Sequence, residues 1–249
     1  AVTCELAVRF GAEEEISTTD ATVNDLLWLM SLARSSLVSI CYRKKVGADG
    51  AVLGITHWDH KTRPYCGERC LISPSSYRDT QAFLGTALSN FGKQRDLFGL
   101  PVAIEAYLES KLSSNKEISF LLACVAIECL RDHFARDVGL EFIVKLGSSR
   151  KRAVRKAVEK ALADELGQEL TAERLQAMAN KVPELYRPSM KSVLQKLFDA
   201  VGLEVAPEEY DFIPYRDQVV HTGILVTDFA GWQISYRNLI NLLDRTFMA

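Results

Sequence analysis

Arg216, Asp217 and His221 fall within the segment Phe-Ile-Pro-Tyr-Arg-Asp-Gln-Val-Val-His-Thr-Gly, Phe212 to Gly223. A guanidinium, a carboxylate and an imidazole on one short helix are groups that can cleave RNA. At 3.6 residues per turn, Arg216 and His221 stand about 140° apart, whereas Asp217 and His221, at i and i+4, lie nearly in line. Asp217 can therefore orient the imidazole while Arg216 holds a phosphate. Gly223 reads as the helix C-cap, which sets His221 beside unpaired carbonyls at the negative end of the helix dipole and favours its protonated form. A histidine poised near neutrality suits acid–base chemistry. Tyr215, next to Arg216, could stack on a base or simply pack.

The opposing interpretation makes Arg216 and Asp217 surface or interhelical ion pairs and His221 a plain helix cap. An Arg and a His at this spacing carry little weight alone, since chance supplies such matches in many chains. Context adds more. The pair follows an apolar helical stretch, Ser119 to Phe134, that has Glu128 as an unexpected charge in its middle, and it precedes one last amphipathic helix.

A second group of interest is the basic run Arg150, Lys151, Arg152, Arg155 and Lys156, followed by Lys160, at the start and along the face of a predicted helix. Such residues can hold a nucleic-acid backbone, and cations near a helix N-terminus oppose its dipole. A solvated face balanced by Glu159, Asp164 and Glu165 is the alternative. The third group is His57, His60, Cys66 and Cys70. Two His and two Cys would suit zinc, but the C-x3-C spacing is looser than a C-x2-C knuckle, so ordinary thiols and imidazoles are the competing interpretation. His133 and Trp28 read as helix-face residues.

These groups must be positioned by 249 residues in which 48% are hydrophobic and 25% charged, a globular composition. The net charge of −2 excludes coating nucleic acid by bulk charge, so any RNA contact must be focal. No apolar run approaches the roughly 20 residues of a membrane span, and the first residues lack signal-peptide regions. A cytoplasmic address with six reduced cysteines is expected, with no membrane partner. The chain opens in what reads as a strand, Val2 to Phe10, as a piece cut from a longer protein would.

Residues 1–74 read as a small α+β module, possessing strands at Val2–Phe10, Leu37–Tyr42 and Ala51–His57, a capped helix starting at Thr22, and a hairpin turn at Gly47–Gly50. From residue 75 to 249 the period is helical, predicting helices near 75–95, 101–112, 116–137, 149–166, 171–181, 188–201, 208–222 and 229–247. The fold class is thus mainly α, with the Ser119–Phe134 helix central.

On Arg216, its polar neighbour Asp217, His221 and the acid of Ala126-Ile-Glu-Cys-Leu130, residues from about 100 to 247 resemble the HEPN family, a compact helical domain of many prokaryotic ribonucleases, toxins and phage-defence proteins. The likeness is nearest to ApeA-type proteins, in which a mixed N-terminal module precedes a C-terminal HEPN domain. The resemblance implies a metal-independent endoribonuclease without cofactor, in which Arg216, Asp217 and His221 act and Glu128 supports them. It further implies a homodimer with two motifs facing one cleft, RNA as partner, and a phage-derived or regulatory trigger. The runner-up is a non-catalytic HEPN-like dimerisation module that binds nucleic acid or a nucleotide.

Overall fold

A computed structural model describes residues 16–40, 42–47, 49–57, 70–73, 76–166, 171–182, 186–222 and 228–249, with the side chains of 16–19, 57, 77, 221 and 222 outside the described set. Among the described residues the chain is mainly helical, with nine α-helices and one two-stranded sheet. The elements are α1 (Ile16–Arg34), β1 (Tyr42–Val46), β2 (Val52–His57), α2 (Tyr77–Gln94), α3 (Leu100–Leu112), α4 (Lys116–Asp137), α5 (Ser148–Leu166), α6 (Ala172–Asn180), α7 (Met190–Ala200), α8 (Phe212–Thr222) and α9 (Phe229–Met248).

The core is built around α4, which packs on α3, α7, α8 and α9. Apolar residues on most of its faces bury Phe120, Ala123, Cys124, Ala126, Ile127, Leu130 and Phe134. At its start, Asn115 Oδ1 accepts from the amides of Glu117 and Ile118, satisfying two donors of the first turn. The preceding helix α3 starts at Gly99, whose φ of +59° is left-handed, with Pro101 in its first turn. His133 from α4 lies against that glycine so closely that a Cβ there would come within 2.5 Å of its ring. His133 is therefore a packing residue. Trp28 packs against the same core from α1.

Helix α1 shares a core with the helices that follow residue 76. Leu29 and Leu32 of α1 belong to the core that holds Ile104, Tyr107, Ile127 and Leu243, and α1 rests on α2 and α3. By contrast the β1–β2 hairpin is largely exposed, and Arg43 ties it to α1 through an ion pair with Asp20. Its strands are antiparallel, joined by a turn in which Gly50 has a φ of +80°. The expected turn and second strand are thus present.

Three expectations need correction. Helix α1 starts at Ile16, so Thr22 lies inside it and does not mark its start. Residues 37–40 form no strand, because their backbone is drawn to the end of α1: the Ser36 amide donates to Ser31 O, and the Val38 amide to Ser31 Oγ at 2.8 Å. The first strand of the pair begins at Tyr42 instead. The helix expected over 208–222 is divided into a 3-10 turn, Pro207–Tyr210, and α8. Pro214 has no N–H to return to the Tyr210 carbonyl, so the two pieces cannot run on as one α-helix. The strand expected at Val2–Phe10 lies outside the described residues.

Candidate active site

Helix α8 crosses α4 where Arg216 meets Glu128. Phe212 and Val219 bury the inner side of α8 in the core, which leaves Arg216 at the rim of the contact. Its Nε donates to Glu128 Oε1 at 2.6 Å, and its Nη1 donates to Asp217 Oδ1 at 2.8 Å. Nη2 has no partner among the described residues. The side chains of Arg216 and Glu128 keep 25% and 22% of their exposure, and Asp217 keeps 52%, so the trio is partly open to solvent. The hydrogen bond to Glu128, and after it the one to Asp217, raises the Arg216 pKa above its ordinary value, fixing the positive charge.

This contact accounts for the odd acid of the apolar helix: the charge of Glu128 is matched by a guanidinium 88 residues away. One turn earlier, Cys124 is buried; burial first, then the neighbouring Glu128, pushes its thiol pKa up, so it is a packing group and not a nucleophile. Val125, one turn before Glu128, and Val220, one turn after Arg216, are both exposed. They put apolar surface on the same helix faces as the charged pair.

The structure places the other expected site residues as follows. His221 stands on α8 one turn beyond Asp217, with its side chain outside the described residues. Tyr215 braces α8 against α9: its hydroxyl donates to Asp228 Oδ2 at 3.0 Å, and Asp228 in turn caps α9 by accepting from the Gly231 amide at 2.9 Å. The bond to Asp228 raises the Tyr215 pKa. The Gly231 amide, and then Tyr215, lower that of Asp228.

The basic run lies on α5, as expected, but α5 packs on α6 and buries none of its residues. Arg155 Nη2 donates to Asn180 Oδ1 on α6 at 2.6 Å, and Lys151 Nζ sits 5.1 Å from the centre of the Phe142 ring. Arg150, Arg152 and Lys156 are exposed. Of the proposed metal group, His60 and Cys66 and the side chain of His57 lie outside the described residues. Cys70 is described, and its thiol donates to the Arg34 carbonyl at the end of α1. Among the described residues no group of three or more His, Cys, Asp or Glu is placed to hold a metal ion.

Sequence patterns did not disclose a second charged group between α3 and α9, in which Lys111 is buried and Asp244 is partly exposed. Lys111 Nζ lies 3.1 Å from Asp244 Oδ1 and 4.3 Å from the centre of the Tyr107 ring, and the Tyr107 hydroxyl also donates to Asp244. Burial raises the Tyr107 pKa, and the Asp244 charge adds to this. A cleft of about 1000 Å³ between α2 and the C-terminal ends of α7 and α9 is mostly apolar and away from Arg216. No helix among the described residues is long and apolar enough to cross a membrane. Comparison of the chain with protein-family models, curated proteins and solved structures gives no match.

Proposed function

We propose that this chain is a metal-independent endoribonuclease of HEPN type. The observation that carries the reading is the half-open contact between Arg216 and Glu128. A carboxylate from the central helix holds a fixed positive charge at the rim of α8, and His221 follows on the same helix. A preorganised cation is what an attacked phosphate needs as charge develops on its oxygens.

In the proposed reaction a ribose 2′-hydroxyl gives up its proton and its oxygen bonds to the adjacent phosphorus. The bond from phosphorus to the 5′-oxygen breaks, and that oxygen takes a proton. The products are a 2′,3′-cyclic phosphate and a free 5′-hydroxyl. His221 moves protons, Arg216 neutralises the crowded phosphorane through the guanidinium donors that Glu128 and Asp217 leave unused, and Asp217 and Glu128 hold Arg216 in place. One histidine is short of a separate acid and base, so two chains pair with their motifs in one groove. The exposed Val125 and Val220 beside the charged trio support such pairing, because they give that face apolar surface to bury. Exposed cations on α5 add salt-dependent affinity for the strand. Phage defence or toxin-like growth arrest, under a phage-derived or regulatory trigger, is the setting that the HEPN resemblance suggests.

A second reading has support from the same residues. Two carboxylates already engage Arg216, as they would in a structural strut of a non-catalytic module that dimerises and binds nucleic acid or a nucleotide. Turnover separates the two. Purified protein is incubated with total RNA in EDTA beside His221→Ala and Arg216→Ala. The ribonuclease yields fragments ending in cyclic phosphate, and each variant loses at least about a hundredfold in rate. Equal cleavage by wild type and both variants would remove Arg216 and His221 from the chemistry, and intact RNA throughout would favour the binding module.

A further inference from the structure

We infer that a cleft between the C-terminal turns of α4 and the segment leading into α7 binds a phosphate-bearing nucleotide unit. The cleft measures about 440 Å³, a size suited to a small ligand or one unit of a polymer, and is lined by Arg131, Asp132, Arg136, Phe142, Arg187 and Val193, among others. Three arginines line it, with Asp132 and Glu141 as the acids among them. In a chain of net charge −2, the cleft therefore carries a small local excess of positive charge.

Each arginine keeps donors to offer. Arg131 uses Nε and Nη2 on Asp132 Oδ1, at 2.8 and 2.5 Å. Arg136 gives Nε to the Asp132 carbonyl at 3.2 Å and has Nη2 3.4 Å from His133 Nδ1. Among the described residues the Nη1 of each has no partner, and Arg187 makes no ion pair. Guanidinium forks match the paired oxygens of a phosphate. The Phe142 ring adds an apolar wall, and its contact with Lys151 joins the cleft to the basic run of α5. Carboxylates of an acidic protein could also meet three arginines. The concave shape and the aromatic wall favour a nucleotide over such a partner.

Placement links the cleft to the Arg216 contact. Arg131 follows Glu128 by three residues on α4, a rise of about 4.5 Å, and so occupies the neighbouring turn of the same helix. A strand held at Arg216 can rest a flanking nucleotide in the cleft. That role rests on the ribonuclease reading, whereas binding itself is measurable without cleavage. The phosphate has two possible sources, a strand or a free nucleotide, and their chemistry is shared.

The test uses the full chain carrying His221→Ala, so that RNA survives. Fluorescence anisotropy with a labelled 12-nucleotide single-stranded RNA compares it with the same chain bearing Arg136→Gln and Arg187→Gln, two exposed positions. A charge-matched control carries Lys44→Gln and Lys45→Gln on the hairpin. We expect the cleft variant to lose about tenfold in affinity and to flatten the plot of log affinity against log salt by about 0.7 for each phosphate no longer neutralised, with the control unchanged. Unlabelled ATP that displaces the RNA from the His221→Ala chain, but not from the cleft variant, assigns the cleft to free nucleotides as well; no displacement assigns it to the strand. Equal affinity and equal salt slope in the cleft variant and its parent would overturn the inference, as would displacement by poly-glutamate at lower concentration than by unlabelled RNA. A wild type that never cuts, together with binding that depends on Arg136 and Arg187, would leave the cleft standing and remove the ribonuclease. Cleavage with cleft-independent binding would do the reverse.

Discussion

Lys111 and Arg216 are both cations gripped by carboxylates, yet one is sealed and the other is not. The Lys111 side chain is 3% exposed, pressed between Asp244, the Tyr107 ring and Ser35 Oγ, where α1, α3 and α9 converge. Arg216 keeps a quarter of its exposure and has exposed apolar neighbours on both its own helix and the one it touches. A sealed cation can only hold the fold together, because no ligand reaches it, even where its carboxylate partner, like Asp244, keeps 31% of its exposure. A half-open pair can hold the fold and also present charge. The difference separates two roles that identical residue types would otherwise leave confounded.

The sharpest way to break the comparison is to remove the sealed cation. Lys111→Met leaves Asp244 with the Tyr107 hydroxyl and solvent, and removes the contact with the aromatic face. Loss of a buried cation whose carboxylate partner is partly solvated costs about 2 kcal/mol, equivalent to a Tm lower by roughly 4–8 °C in a domain of this size. Adding Asp244→Asn should restore part of that loss, since the carboxylate that has lost its cation disappears with it. Thermal unfolding of the two variants measures this. A drop no larger than that of a surface lysine would mean that Lys111 is not the lock the geometry describes.

The half-open pair should respond differently. Glu128→Gln keeps the shape of the side chain and removes its charge. Because both partners are partly solvated, the stability cost is about 1 kcal/mol. The rate of RNA cleavage should fall tenfold or more, with KM changed less than kcat, since Glu128 positions Arg216 for the transition state and does not itself bind the strand. Arg216→Lys probes the same point from the other side: a lysine keeps the charge but cannot donate to Glu128 and Asp217 with one rigid fork. Full activity in Arg216→Lys would reduce Arg216 to a point charge. Rates that simply track Tm across both variants would return the trio to a strut.

The helices and their joints are written plainly in the chain, because a period of 3.6 residues, a Gly or Pro at a joint and an Asn or Asp at a helix start are local signals. Helix α4 was legible as the central element for that reason, and Glu128 stood out as a charge on an apolar helix. Its partner did not. Arg216 is 88 residues away, and only packing brings α8 onto α4. The same holds for Asp244, which reaches Tyr107 across 137 residues, and for Arg187, which joins Arg131 and Arg136 through the return of the chain after α6. The mistaken strand assignment over 37–40 has the opposite cause: alternating apolar residues look extended, but hydrogen bonds from the Ser36 and Val38 amides to Ser31 bind that backbone to the end of α1.

The smallest expected effect concerns the brace that holds α8 in position. Asp228 caps α9 through the Gly231 amide and receives the Tyr215 hydroxyl, and both hold its carboxyl below the usual range. A carboxyl whose pKa is lowered by folding stabilises the folded state above its unfolded value, and that contribution is lost as pH falls through the folded value. Asp228→Ser retains a hydroxyl cap for Gly231 but has no charge to titrate. At pH 7 the wild type should melt slightly higher than Asp228→Ser, and the gap should narrow steadily below about pH 4 as the carboxyl protonates. Thermal unfolding of both proteins from pH 7 to pH 3 reads this directly. A gap that is constant with pH would show that the brace acts by shape alone. In that case the position of Arg216 depends on the packing of Phe212 and Val219, and not on the charge at the head of α9.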